Sequence, residues 1–362
     1  MSILELKRNE KLFQELMESG VLKTSEGERF AQLVRFVDLQ DSNQSYGIFQ
    51  VTPVDQLKRP GLHLRVLSSL RAYSFSATLG VGICVVLFGI QQGWDLNLLA
   101  ASLGGFITIL LHSSINLYND YADYQRLIDL PGTPGGSGAI QKAWLSPRCV
   151  KRLALGCLLL ALASSLWLGL LQKWPLWLWV VGAVSCLGVL SYSGGNFRFG
   201  VKYIALGEAL VFAMCGPLLG LAFSYVSFGT FNSGVMYISS ALGMFAVGLL
   251  FCNNLQDIPQ DQARGAMTLA QIMGFSKAQK IPGIIYGLGL LTLGIGLATH
   301  ILPFPIVLAG LVAFPSFKLS RKLSKASGPF SIELESSRLE AAKIHGQLSL
   351  SISIALLIAL LF

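Results

Sequence analysis

Nine stretches of this chain, at roughly 74–93, 96–116, 150–172, 174–193, 203–226, 234–253, 281–299, 302–317 and 346–362, are apolar over about the length a helix needs to cross a bilayer. A backbone passing through lipid must satisfy its own N–H and C=O groups, so runs of this kind are expected to be helices packed on one another. The expected fold class is therefore all-α: a polytopic membrane protein with about nine transmembrane helices. Around Pro303 and Pro305 the same residues could instead form a re-entrant hairpin. The composition agrees, with 53% apolar and only 13% charged residues.

Charge placement gives an orientation, because short cytoplasmic loops collect Lys and Arg. With the N-terminus cytoplasmic, the loops on that side hold Lys142, Arg148, Lys151 and Arg152, then Arg198 and Lys202, then Lys277 and Lys280, then Lys318, Arg321, Lys322 and Lys325. Asp95 and Lys173 are the only charges in the opposite loops. A multi-pass protein of the cell's inner (cytoplasmic) membrane is expected. The net charge of +8 follows from these inward loops, and no basic stripe interleaved with aromatics points to nucleic acid. The six cysteines are isolated, without a CxxC pair, and neither a zinc site nor a disulfide framework is expected.

Residues 1–60 differ in kind. They carry nine acids, and short amphipathic runs such as LFQELMESGVL and ERFAQLVRFVDL predict a small helical cytoplasmic extension ahead of a transmembrane domain at 61–362. An amphipathic extension lying on the membrane surface fits that pattern. No charged-then-apolar leader with a small-residue cleavage site is seen, and no signal peptide is expected.

From residue 56 onward only ten acids remain, and half of them lie in or just after two asparagine-led motifs, NLYNDYAD (116–123) and NNLQDIPQD (253–261). Both fall at the cytoplasmic ends of apolar runs. On a helix, residues four apart share a face, which aligns His112, Asn116 and Asp120 with Asp123 beside them, and Asn253, Asp257 and Asp261 in a second stripe. Pro259 predicts a helix end or restart within that second stripe. Carboxylates and amides without cysteine or histidine partners suit a hard cation such as Mg²⁺, which binds a few carboxylates together with water and phosphate oxygens. A phosphorylated substrate follows, with Arg126, Lys142, Arg198, Lys202 and Arg264 on the same side to meet its charge. The glycine-rich PGTPGGSG (131–138) could bring backbone N–H groups to phosphate oxygens. Glu208 is expected about two turns inside the fifth span, where a carboxylate is functional or partnered. His112 is expected to be a packed helix residue.

Over about residues 65–362 the chain resembles the UbiA superfamily of intramembrane aromatic prenyltransferases, and within it the 1,4-dihydroxy-2-naphthoate polyprenyltransferases of menaquinone synthesis. NLYNDYADYQRLID (116–129) is similar to that branch's NxxNDYxDxxxGxD, and NNLQDIPQDQARGAMTL (253–269) to its NNxRDxxxDxxxGKxTL. YSGG (192–195), KYIALGE (202–208) and GP (216–217) match its middle signature in order and spacing. The resemblance implies a UbiA-type helical bundle in which Asp120, Asp123, Asp257 and Asp261 are catalytic and hold Mg²⁺. It implies that Asn116, Asn119, Asn254, Asp129 and Lys142 bind the polyprenyl diphosphate, with Tyr192, Lys202 and Glu208 near an aromatic acceptor. Four departures stand out: GGSG (135–138) where the branch has GPxR, Gln256 for an arginine, Ala266 for a lysine, and Leu127 for a glycine.

The implied reaction is Mg²⁺-assisted departure of diphosphate and capture of the allylic cation by 1,4-dihydroxy-2-naphthoate with loss of carbon dioxide. Alternatives are a UbiA-type enzyme with another acceptor, such as 4-hydroxybenzoate or homogentisate, and a degenerate homologue that binds a prenyl lipid or quinone without turnover. A transporter would place its acids near the bilayer midplane, whereas these cluster at one surface.

Overall fold

The computed structural model describes residues 2–25, 27–39, 44–129, 136–194, 200–263, 265 and 267–362. Its N-terminal part is not helical as expected but a four-stranded antiparallel sheet carrying one helix. Strands β1 (Ser2–Lys7), β2 (Val21–Thr24), β3 (Gly27–Val37) and β4 (Tyr46–Pro53) lie in the order β1-β4-β3-β2, and helix α1 (Lys11–Ser19) follows β1. The run read as an amphipathic helix, ERFAQLVRFVDL, is most of β3. Its inward residues Ala31 and Leu33 alternate along the strand as Gly47, Phe49 and Val51 do along β4, and the β3–β4 pairing selects period two over 3.6. Of the run LFQELMESGVL, the residues up to Ser19 are the helix α1 that its spacing predicts, and Val21 and Leu22 open β2.

A short helix α2 (Leu62–Ser69) leads to the apolar bundle: α3 (Ser76–Gln91), α4 (Leu98–Gln125), α5 (Pro147–Gln172), α6 (Leu176–Tyr192), α7 (Gly207–Met214), α8 (Pro217–Phe228), α9 (Ser233–Ala263), α10 (Leu269–Met273), α11 (Phe275–Ala278), α12 (Ile281–Ala298), a 3₁₀ stretch Phe304–Val312 running into α13 (Ala313–Leu323), α14 (Ile332–Glu335) and α15 (Ser337–Ala359). Eight segments among the described residues are long and apolar enough to cross a membrane, and the 17-residue α6 is a shorter ninth. The seventh of the eight is the continuous segment Phe304–Leu323, not a re-entrant hairpin.

Local signals explain where these helices start. Asn97 accepts from the Ala100 N–H at 3.0 Å and begins α4, while Ser146 accepts from the Cys149 N–H at 3.2 Å with Pro147 in the first turn of α5. The fifth span breaks into α7 and α8 at Gly216, ahead of Pro217. A Cβ on Gly243 of α9 would lie 2.8 Å from the Gly216 Cα, so the two backbones touch there. α9 is the buried axis, packed by α3, α7, α8, α12 and α15. Pro259 does not end it, and the helix runs on to Ala263. Only the Pro259 N–H is missing, and it is missing near the helix end, where the cost of a kink is smallest.

Candidate active site

The last turns of α4 bring the first motif together. Asp120 is buried and ion-paired to Arg71, and its Oδ2 accepts from the Ser137 N–H at 3.1 Å. One turn on, Asp123 Oδ2 accepts from Lys202 Nζ and from Asn119 Nδ2, each at 2.9 Å. Asn119 is held in turn by the Ser193 hydroxyl at 2.9 Å. Asn116 lines the same cavity as Asp123 and Asp257. Its amide donates to Leu70 O at 2.9 Å and to Ser74 Oγ at 3.3 Å, and the Ser74 and Thr78 hydroxyls are hydrogen-bonded to the two ring nitrogens of His112.

Asp129 lies just beyond α4, buried, with Oδ2 lacking a hydrogen-bond partner. A Cβ on Gly136, which has φ +66°, would fall 2.5 Å from that oxygen and 3.4 Å from Asp120 Oδ1. Glycine is therefore required where the backbone at 136 passes these two carboxylates. Burial first, then the charges of Asp123, Asp257 and Asp120, push the Asp129 carboxyl well above the usual carboxylate range.

The second motif sits on the final turns of α9. Asn254 Nδ2 donates to Glu208 Oε1 at 2.8 Å, and both are buried. Glu208 is not two turns inside its span as expected: α7 starts at Gly207, and the carboxylate occupies its first turn, where the helix dipole favours it. Asp257 is half-buried. Asp261 is fully buried, and both of its carboxylate oxygens lack partners.

Asp123, Lys202, Tyr192, Asn254, Asp257 and Arg338 line a cavity of about 440 Å³, whereas Asp120, Asp129, Glu208 and Asp261 stand behind its wall and do not line it. Its remaining wall is largely apolar, with Ile107, Leu178, Val189, Leu218, Phe223 and Leu249 among the lining residues.

Lys142 and Arg126, two of the expected bases, make other contacts. Lys142 is exposed, its Nζ 4.8 Å from the centre of the Trp144 ring, and it is not brought to the acids. Arg126 Nη1 donates to Ser193 O at 2.6 Å. Arg198, Arg264, Ala266 and residues 131–135 of the glycine-rich loop lie outside the described residues. Gln256, which stands where the resembling branch has arginine, donates to Leu334 O and, at 3.1 Å, to Ser337 Oγ, tying α9 to α14 and α15.

Two bases were missed. Arg71 holds a left-handed turn at φ +53° between α2 and the first span, and Arg338 opens α15. The only sequence signal for Arg71 is that it is the last base before the first apolar run.

Among the described residues, no three Asp, Glu, His or Cys groups converge closely enough to hold a metal ion alone. The donor chemistry nonetheless fits a hard divalent cation that brings further oxygens with it. Asp129 Oδ2, both Asp261 oxygens and Asn253 Oδ1 are buried oxygen acceptors without partners, and groups so placed call for a cation or water.

The molecule is thus a helical membrane bundle with a largely apolar cavity lined in part by carboxylates and buried bases. The chain belongs to the UbiA prenyltransferase family, the model of which matches residues 74–329. It is 31% identical over 210 residues to 1,4-dihydroxy-2-naphthoate octaprenyltransferase of Mycobacterium tuberculosis, covering 58% of this chain and 68% of that protein. The protein of the same name from Bacillus subtilis is 26% identical over 198 residues, covering 55% and 61%. In fold, the chain is similar to a UbiA homologue from Archaeoglobus fulgidus bound to GPP and Mg²⁺, with a TM-score of 0.58, 15% identity, and coverage of 82% of this chain and 100% of that one. The N-terminal sheet lies outside the family match.

Proposed function

We propose that this protein transfers a polyprenyl group from an allylic diphosphate to an aromatic acceptor, 1,4-dihydroxy-2-naphthoate, at the cytoplasmic face of the membrane. The observation that carries the reading is a cavity lined by Asp123, Asp257, Arg71 and Lys202 together with a largely apolar wall. Such a space suits a molecule with a polyanionic head and a hydrocarbon tail. The curated relatives named above supply the acceptor.

In this reading Asp120, Asp123, Asp257 and Asp261, with Asp129 beside them, would hold Mg²⁺ together with the substrate's diphosphate, since the carboxylates among the described residues do not hold a metal ion alone. When bound, Mg²⁺ would stabilise the negative charge that develops on the leaving diphosphate. Arg71 and Lys202 supply fixed positive charge at the same end, already oriented by Asp120 and Asp123. As the allylic C–O bond breaks, its electron pair leaves with the diphosphate. The apolar wall keeps water from the resulting cation until the acceptor carbon bearing the carboxylate attacks it. A C–C bond forms, the carboxylate leaves as carbon dioxide, and the electron pair of the broken C–C bond restores the aromatic ring. Asn254, which lines the cavity with Tyr192 and Lys202, is held from behind by Glu208, and in this reading these three residues shape the acceptor's place.

The test is prenyl transfer in membranes containing the protein, given a polyprenyl diphosphate, Mg²⁺ and a panel of aromatic acceptors. Product with dihydroxynaphthoate alone supports the reading. Product with 4-hydroxybenzoate or homogentisate moves it to another acceptor, and no product with any acceptor favours a non-catalytic lipid-binding homologue.

A further inference from the structure

The apolar core of the N-terminal sheet continues without a break into the helical bundle. Phe13, Leu16, Leu33 and Phe49 belong to one apolar cluster with Leu117 and Tyr124 of α4, Leu127, Ile140 of the following loop and Val150 of α5. A module of this size buries too small a share of its surface to be robust alone, and this one is completed where α4 delivers its acids.

Leu127 is the pivot. α4 ends in a Schellman turn, with Ile128 N–H donating to Asp123 O at 2.9 Å and Leu127 N–H to Tyr124 O at 3.0 Å. The residue between needs a left-handed conformation, the usual place of glycine, and Leu127 adopts it at φ +62°. Its side chain is buried in the cluster shared with the sheet, and that burial opposes the backbone strain. The departure from glycine at this position is thus joined to the extra module.

A polar link runs in parallel. Gln32 of β3 donates from Nε2 to Gln141 O, and Gln141 Nε2 donates to Asp129 O at 3.2 Å. Gln125 Nε2 of α4 donates to Met17 O of α1 at 2.5 Å.

We propose that the N-terminal sheet is a positioning element for the diphosphate site, acting through Leu127 and the Gln32–Gln141 link to fix Asp129 against Asp120. This rests on the proposed diphosphate-binding role of the site. Gln32 and Leu127 are positioning residues and touch no substrate.

The test uses the full-length protein and two readouts: steady-state prenyl transfer, and the rise in melting temperature of detergent-solubilised protein on titration with inorganic diphosphate and Mg²⁺. Gln32→Ala should raise KM for the prenyl diphosphate by roughly three- to tenfold, the scale of one net hydrogen bond. The diphosphate midpoint should rise in step, while kcat and the ligand-free melting temperature stay near wild type. Gln32→Lys, which keeps a donor, should restore both constants.

Unchanged KM and midpoint in Gln32→Ala, or no rescue by Gln32→Lys, would overturn the proposal. Wild-type protein that binds diphosphate but prenylates no acceptor would refute the proposed reaction only, and the midpoints would still decide this inference. Wild-type protein that does neither would refute both.

Discussion

Arg71 and Lys202 each take one carboxylate of the first motif, and this divides the four motif aspartates into two kinds. Asp120 is the buried counter-charge of Arg71, whereas Asp257 is half-buried at the cavity with no equally intimate ion pair among the described contacts. The same isosteric change should therefore act differently at the two positions. Asp257→Asn should lower prenyl transfer by about 100-fold or more, the scale of losing one charge-stabilising group, with the melting temperature near wild type. Asp120→Asn should lose transfer as well and also lose stability on the order of 3 kcal/mol, because it leaves a buried guanidinium without its charge partner. Transfer rates in membranes together with thermal unfolding in detergent check both, and normal turnover in Asp257→Asn would sink the proposed role of the second motif. The aspartates were legible in the sequence because acids are so rare after residue 56. The bases were not, since a lone Arg71 in a basic stretch gains its meaning from a left-handed turn that no local pattern announces. Gln256 was legible only as a substitution, and its reason lies in a hydrogen bond to Leu334, 78 residues away.

The helices were readable because lipid leaves the backbone few choices, so an apolar run of sufficient length maps onto a helix almost without regard to neighbours. The sheet obeys no such constraint. ERFAQLVRFVDL satisfies both a helical and an alternating pattern, and what decides is a partner strand, Tyr46–Pro53, that only the folded chain brings alongside. The break in the fifth span, by contrast, is written in Gly216 and Pro217 but needs Gly243 to explain it. The two backbones meet because neither carries a side chain, and α7 is thereby set so that Glu208 reaches Asn254. Gly243→Ala would place a Cβ 2.8 Å from the Gly216 Cα and 3.0 Å from Phe212 O, backbone atoms that cannot rotate aside. The expected cost is about 1–3 kcal/mol of overpacking, read as a lower melting temperature, with prenyl transfer falling as α7 is displaced. Gly287→Ala, where a Cβ meets nothing within 4 Å, is the matched control and should lower neither.

At the scale of the whole molecule, an odd number of crossings requires the two ends of the chain to face opposite sides of the membrane, and the contacts between helix ends sort accordingly. At one end Lys202 meets Asp123, Glu208 meets Asn254, and Lys322 meets Glu340. At the other, the Asn97 N–H donates to Ser227 O at 2.8 Å, and the last helix runs out through a stretch without charge after Lys343. Bases are abundant on the first side and almost missing from the second, so the first side should be cytoplasmic. The six native cysteines are free and buried or half-buried, and replacing them all gives a background for single reporters. With a membrane-impermeant maleimide, Lys277→Cys and Lys325→Cys should be labelled only when the cytoplasmic face is exposed, and Asp95→Cys and Lys173→Cys only from the opposite face. Labelling of all four from one side would mean that a crossing has been misassigned. A clean reversal would put the acidic rim on the outer surface, where a cytosolic prenyl diphosphate could not reach it, and the proposed reaction would fail with the orientation.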